Sequence, residues 1–182
     1  MRKINRKIIR VINRIKYGKC ETIDELRARG VKIGNNCSIC TDKIDFGHGY
    51  LISIGNNVTI SDAALIAHDG STKKILGYSK VGSIIIGDNV FIGFGALILP
   101  NVKIGDNVVV GAGSVVIRDI PSDSVVAGNP ARVVCTMEAF IEKNKRLFED
   151  AKHFDTPWGK KSETEKAEMF ELLKSGGIAF DD

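Results

Sequence analysis

The sequence predicts a mainly β fold, built as a solenoid of six-residue units and flanked by helices at both ends. Two observations carry this. Ile86, Ile92, Ile98, Ile104, Val110 and Val116 fall six residues apart, and Ile54, Ile60 and Ile66 keep the same beat further back. Gly-Asn-Asn or Gly-Asp-Asn turns also recur between short β-branched runs: Gly34-Asn35-Asn36, Gly55-Asn56-Asn57, Gly87-Asp88-Asn89 and Gly105-Asp106-Asn107. A six-residue period is too long for strand alternation and too short for a helix–turn unit. It fits a β-solenoid in which each unit is one short strand plus a corner. The recurring aliphatic residue points inward, and Gly and Asn accept the backbone of a tight corner. Stacked coils then bury one continuous core.

The elements follow in order. Residues 1–30 form a basic N-terminal segment. Ile4, Ile8, Val11, Ile12 and Ile15 give residues 2–17 a helical period. Residues 1–19 hold eight Lys or Arg and no acid, so the overall charge of +4 hides a body of −4. Such a helix either packs its apolar stripe on the body or a neighbouring subunit, or lies peripherally on an anionic membrane. A second short helix is expected near Thr22 to Arg29, with Asp24 and Glu25 in its first turn and Gly30 as its stop. The solenoid spans residues 31–134. The segment from Ile66 to Ile86 is not a whole number of units long and breaks the beat, which places a loop insertion at residues 68–83. Residues 135–182 form a C-terminal helical extension. One helix starts near Met137, and Ser162-Glu163-Thr164-Glu165 reads as the capping box of another.

Composition narrows the function. A basic tail on an acidic body is not the charge pattern of a nucleic-acid-binding domain. No apolar run approaches the length of a membrane span, and the charged N-terminus is unlike a signal peptide. Four cysteines form no evident disulfide framework, so a reducing cytoplasm is expected. Cys37-Ser38-Ile39-Cys40 lacks a second pair and is expected to pack within a strand.

Residues 31–134 resemble the left-handed parallel β-helix acyltransferases, the hexapeptide-repeat family. The resemblance rests on Ile86-Gly87-Asp88-Asn89-Val90-Phe91-Ile92-Gly93-Phe94-Gly95-Ala96, on Leu99-Pro100-Asn101-Val102-Lys103-Ile104-Gly105, and on Val110-Gly111-Ala112-Gly113-Ser114-Val115-Val116. It closes on Val126-Ala127-Gly128-Asn129-Pro130-Ala131-Arg132, whose Gly-Asn-Pro-Ala-Arg ending is specific for the acyl-CoA branch. The left hand of the coils is taken from the resemblance, against the usual preference of parallel crossovers.

The resemblance implies acetyl-CoA as acyl donor, no metal, a homotrimer, and O-acetylation of a sugar hydroxyl in a surface polysaccharide or its precursor. Its location would be cytoplasmic, at the inner membrane face if the basic helix binds lipid. N-acetylation of an amino-sugar, O-acetylation of an antibiotic and a non-catalytic assembly solenoid stay open as alternatives. A zinc enzyme of the γ-carbonic-anhydrase type would need three ligand histidines, and His48, His68 and His153 lack the paired spacing.

Transfer from a thioester to a hydroxyl needs a base, and histidine titrates in the useful range. His68 opens the repeat-breaking insertion and is the expected general base. Its orienting partner is open among Asp62, Asp69 and backbone carbonyls. The Phe94 backbone N–H would stabilise the oxyanion. Gly93 and Ala112 would lie against the cofactor arm, and Arg118 and Arg132 near its phosphates. His48, Asp69 and Tyr78 are candidates for the acceptor pocket, although His48 in Gly47-His48-Gly49 reads first as a plain turn residue. His153 reads as a surface or packing residue.

Overall fold

The computed structural model describes residues 21–182; the predicted N-terminal amphipathic helix of residues 2–17 lies outside the described residues. These fall into two compact units, one ending at Met137 and one spanning Glu138–Asp182.

The first unit opens with helix α1 (Ile23–Ala28). Thr22 caps it reciprocally with Glu25, each side chain taking the other's backbone N–H. Gly30, at φ +90°, ends it. The strands that follow are short and fall into three parallel stacks. On the first stack lie β1 (Lys32–Ile33), β3 (Ile52–Ile54), β8 (Ile84–Ile86) and β11 (Val102–Ile104). On the second lie β2 (Ser38–Cys40), β4 (Thr59–Ser61), β9 (Phe91–Ile92), β12 (Val109–Val110) and β14 (Ser124–Ala127). The third holds β5 (Ala64–Leu65), β10 (Leu97–Ile98) and β13 (Val115–Val116). Successive strands step from one stack to the next, which makes a three-sided solenoid. Between β5 and β8 the chain leaves the stacks as β6 (His68–Asp69), helix α2 (Lys73–Leu76) and β7 (Lys80–Val81).

Register shows where the beat holds. Ile86 pairs with Ile104 and Ile92 with Val110, so one regular coil is three six-residue units. The preceding step, from Ile54 to Ile86 and from Ile60 to Ile92, is much longer because it contains the insertion. The first step, from Ile33 to Ile54 and from Ile39 to Ile60, exceeds a regular coil by half a unit.

One expectation is corrected. The inward residue of the third face is Leu65, not Ile66: Leu65 is fully buried and pairs with Ile98, whereas Ile66 is half-buried. Asp62, at φ +45°, turns the preceding corner one residue early, so the beat shortens from six to five.

Within each strand the inward positions alternate. Ile84 and Ile86 are buried while Ile85 between them is exposed. The pairs Val58/Ile60, Val90/Ile92 and Val108/Val110 repeat this on the second face. Each such aliphatic side chain contributes about 1.5–3 kcal/mol on burial.

The corners are held by two polar ladders that run along the solenoid. Asn36, Asn57, Asn89 and Asn107 sit at φ +54° to +56°, and each donates its side-chain amide to the next, ending on Asp123. Beside it, the backbone N–H groups of Asn35, Asn56, Asp88 and Asp106 donate to Asn56, Asp88, Asp106 and Ser122 side chains. The Gly before each corner lets the coils approach this closely. A Cβ on Gly87 would stand 2.2 Å from Asp106 Oδ1.

Both ends of the core are closed. Leu26 of α1 is fully buried at the first coil. At the last, β15 (Arg132–Thr136) returns antiparallel to β14. The second unit takes up most of helix α3 (Met137–Asp150), strand β16 (Lys152–Phe154), helix α4 (Glu163–Leu173) and strand β17 (Ala179–Asp181). Strands β16 and β17 pair in parallel, and Ser162 and Glu165 form the expected capping box of α4.

Candidate active site

The repeat-breaking insertion is a short hairpin on the third face. A 3-10 turn at Gly70–Thr72 joins β6 to α2. Strands β6 and β7 pair antiparallel, His68 opposite Val81, and the neck is closed by Gly82 N–H donating to the Ala67 carbonyl at 2.9 Å. His68 therefore stands where a rigid coil gives way to an excursion.

Its partner comes from the preceding coil. Ile44 bridges to Leu65, and Asp45 N–H donates to the Leu65 carbonyl at 2.9 Å. This puts the Asp45 carboxylate beside the start of the insertion. Asp45 Oδ2 lies 2.5 Å from His68 Nδ1 and accepts from Ala67 N–H at 2.9 Å. Oδ1 accepts from the N–H groups of Gly47 and His48 at 3.1 and 3.0 Å, and lies 3.3 Å from His48 Nδ1. The Asp45 side chain is fully buried, whereas that of His68 is 46% exposed. Burial pulls the Asp45 carboxyl upward, but the hydrogen bonds from His68, His48 N–H and Ala67 N–H outweigh it and leave it below its ordinary value.

A carboxylate only accepts, so the His68 nitrogen facing Asp45 carries a proton. In neutral His68 the lone pair is then on Nε2, on the far side of the ring. A half-exposed imidazole backed by a buried carboxylate is the arrangement of an oriented general base.

Arg29 braces this turn from behind. It donates to the Asp45 carbonyl at 2.9 Å, stacks over Phe46 at 5.1 Å, and is itself held by Glu21. His48 is brought alongside His68, with ring centroids 5.1 Å apart. Tyr50 lies 6.1 Å from His48. Phe46, Tyr50 and Tyr78 are all strongly exposed.

The other candidates divide. Both side chains first considered as partners of His68 are engaged elsewhere: Asp62 pairs with Lys43 at 2.8 Å, and Asp69 with Lys80 at 2.6 Å across the hairpin. Lys80 and Ser71 N–H hold the Asp69 carboxyl far below the usual range. Tyr78 lies in the hairpin, where its carbonyl accepts from Thr72. Gly93, Phe94 and Ala112 share one corner of adjacent coils. Gly113 N–H donates to the Phe94 carbonyl at 2.8 Å, and a Cβ on Gly93 would stand 2.6 Å from the Ala112 nitrogen. Phe94 and Ala112 are exposed there, as are Arg118 and Arg132 further along. His153 belongs to the second unit, where it stacks on Phe148 at 4.0 Å. Cys37 Sγ donates to the Gly55 carbonyl of the next coil.

Among the described residues, Asp45, His48 and His68 place one ligand atom each within 4.8 Å of one another. The Asp45 carboxylate already engages both Nδ1 atoms, and a ring nitrogen that donates to it has no lone pair to offer a metal ion.

Asp45 is the functional residue that sequence reasoning missed. Its signal was the lengthened first step: extending Ile33–Ile54 and Ile39–Ile60 to Ile44–Leu65 sets Asp45 at the level of Ile66, just ahead of His68.

A three-sided parallel solenoid of six-residue units, with a histidine–carboxylate pair where the insertion begins, places the chain in the β-helix class. Comparison with known proteins makes the class specific. Residues 83–118 match the family model described as bacterial transferase hexapeptide (six repeats). Protein CapG of Staphylococcus aureus is 46% identical over 127 residues, which is 66% of this chain and 74% of that protein. The serine acetyltransferase of Staphylococcus aureus is 41% identical over 109 residues, 58% of this chain and 46% of that enzyme. Among solved structures, a maltose O-acetyltransferase from Clostridium difficile matches with TM-score 0.52 and 29% identity, over 72% of this chain and 85% of that one. The chain belongs to the hexapeptide-repeat acyltransferase family. It spans about three quarters of CapG but less than half of the serine acetyltransferase.

Proposed function

We propose that this protein is an acetyl-CoA-dependent O-acetyltransferase acting on a saccharide hydroxyl. The observation that carries the reading is the His68–Asp45 contact at 2.5 Å, at the place where the repeat opens. The likeness to a maltose O-acetyltransferase supports a sugar acceptor, and the family supports the thioester donor.

His68 Nε2 takes the proton of the acceptor hydroxyl as its oxygen attacks the thioester carbonyl carbon. Asp45 stabilises the imidazolium that forms. The carbonyl electron pair moves onto oxygen, where the Phe94 N–H would meet it. Collapse of the tetrahedral intermediate breaks the C–S bond, and the thiolate takes the proton back from His68. The corner made by Gly93 and Ala112 would hold the pantetheine arm, where small residues permit close approach. Arg118 and Arg132 would meet the phosphates. No acyl-enzyme is required.

As in the family, the active unit would be a homotrimer. The eight basic residues of positions 1–19 would draw it to an anionic membrane on the cytoplasmic side. No helix among the described residues is long and apolar enough to cross a membrane.

The test is thiol release from acetyl-CoA with a panel of methyl glycosides, amino-sugars, serine and chloramphenicol. Release that depends on a saccharide hydroxyl is expected. Release with amines alone, or with serine or chloramphenicol but no saccharide, would overturn the acceptor assignment.

A further inference from the structure

The acyl-transfer reading uses one histidine on Asp45, whereas the structure places two there. His48 Nδ1 faces Oδ1 at 3.3 Å and His68 Nδ1 faces Oδ2 at 2.5 Å. Both ring nitrogens facing the carboxylate must be donors, because it can only accept. In the neutral rings both Nε2 atoms are then acceptors, and both point away from Asp45. The two rings lie side by side, with centroids 5.1 Å apart and 29% and 46% of the side chains exposed, and each carries one acceptor nitrogen.

Two acceptors side by side call for two donors on one ligand. Adjacent hydroxyls of a sugar ring, whose oxygens lie roughly one hydrogen-bond length apart, can each reach one ring. An ammonium fits less well, since the carboxylates of Asp45, Asp62 and Asp69 are all engaged. Asp45 is buried and occupied by N–H donors, Asp62 is held by Lys43, and Asp69 by Lys80. Exposed Tyr50, 6.1 Å from His48, adds an aromatic face of the kind on which the C–H face of a sugar ring can lie.

We propose that His48 is a specificity-determining residue, which accepts a hydrogen bond from the hydroxyl next to the one acylated and so selects vicinal diols. The inference rests on His68 being the base. The reacting hydroxyl gives its proton to His68 Nε2, while its neighbour donates to His48 Nε2 and keeps its own proton. A site built around a hydroxyl discriminates strongly against the analogue that lacks it, because its polar group is left unpaired.

The experiment compares methyl hexopyranosides with their monodeoxy analogues as acceptors of acetyl-CoA, in wild type, His48→Phe and His48→Gln. Wild type should favour the diol by about 100-fold in kcat/KM. His48→Phe keeps a ring but no acceptor, so the preference should collapse to within about threefold, mostly through the diol. His48→Gln, whose amide oxygen accepts, should restore part of it. An equal loss on both acceptors in His48→Phe would show that His48 only supports Asp45, and would overturn the proposal. Nitrogen NMR of the unmutated protein supplies a test free of folding effects. Neutral His48 should carry its proton on Nδ1, and a proton on Nε2 instead would overturn it. If wild type acylates no saccharide hydroxyl, the saccharide-acceptor reading fails, and the diol role of His48 falls with it. If it does and the diol preference is untouched by His48→Phe, only the role given to His48 fails.

Discussion

At the residue scale, the proposed chemistry centres on Asp45. Five N–H groups converge on its two oxygens: the backbone of Gly47, His48 and Ala67, and the rings of His48 and His68. Asp45→Asn replaces one oxygen with a donor, which must confront one set of those N–H groups. An unsatisfied buried donor costs about 1–3 kcal/mol. The variant should lose that much stability by urea unfolding, and its kcat should fall by about 100-fold or more through loss of His68 orientation. The sign of the pH dependence is set by the lowered Asp45 carboxyl. Its stabilisation is present above the ordinary carboxylate value of about 4 and is lost as pH falls further toward the folded-state value. Urea midpoints measured from pH 6 down to pH 3 should therefore fall more steeply for wild type than for Asp45→Asn. Parallel curves would remove Asp45 from this role. His68 was legible in the sequence because it opens the segment that breaks the beat. Asp45 was not, because it lies a full coil away from its partner and the two align only through a step longer than the regular one.

At the element scale, the strands and corners were legible because each six-residue unit repeats the same local conflict and the same solution. Asn89 and Asn107 accept positive φ and also bridge neighbouring coils. The same local logic made the acidic first turn of Asp24 and Glu25 and the Ser162 capping box accurate markers of helix starts. The third face of the second coil escaped this logic. Nothing local in Ser61-Asp62-Ala63 signals that Asp62 turns early, and so the six-residue beat points to Ile66 while Leu65 holds the inward position in the fold. The correction has an energetic consequence. Leu65→Ala should cost about 2–5 kcal/mol, as truncation of a fully buried leucine does. Ile66→Ala should cost less than about half as much, in keeping with its half-burial. Thermal and urea unfolding of the two variants checks the order, and the reverse order would reinstate the six-residue register.

At the scale of the whole molecule, the repeat makes a rigid wall and the insertion makes the exception to it. The regular coils from Ile84 to Val116 stack without interruption, and the corner of Gly93, Phe94 and Ala112 repeats one coil apart. The sequence spoke clearly about this wall because stacking imposes one rule on every coil. It said less about the acceptor side, where Asp45, His48 and His68 meet only once the lengthened first step has set Ile44 against Leu65. Assembly belongs to this scale as well. Light scattering behind size exclusion should give a mass near three times 19.8 kDa, while a monomeric mass in an active preparation would contradict the homotrimer.

Whether His68, held by Asp45, is the base of acyl transfer is decided by the initial rate of CoA release for wild type and His68→Ala on one productive saccharide acceptor. A fall in kcat of about 100-fold to 10,000-fold is expected, with the fold intact by circular dichroism. A correctly folded His68→Ala protein that turns over at the wild-type rate would refute that role.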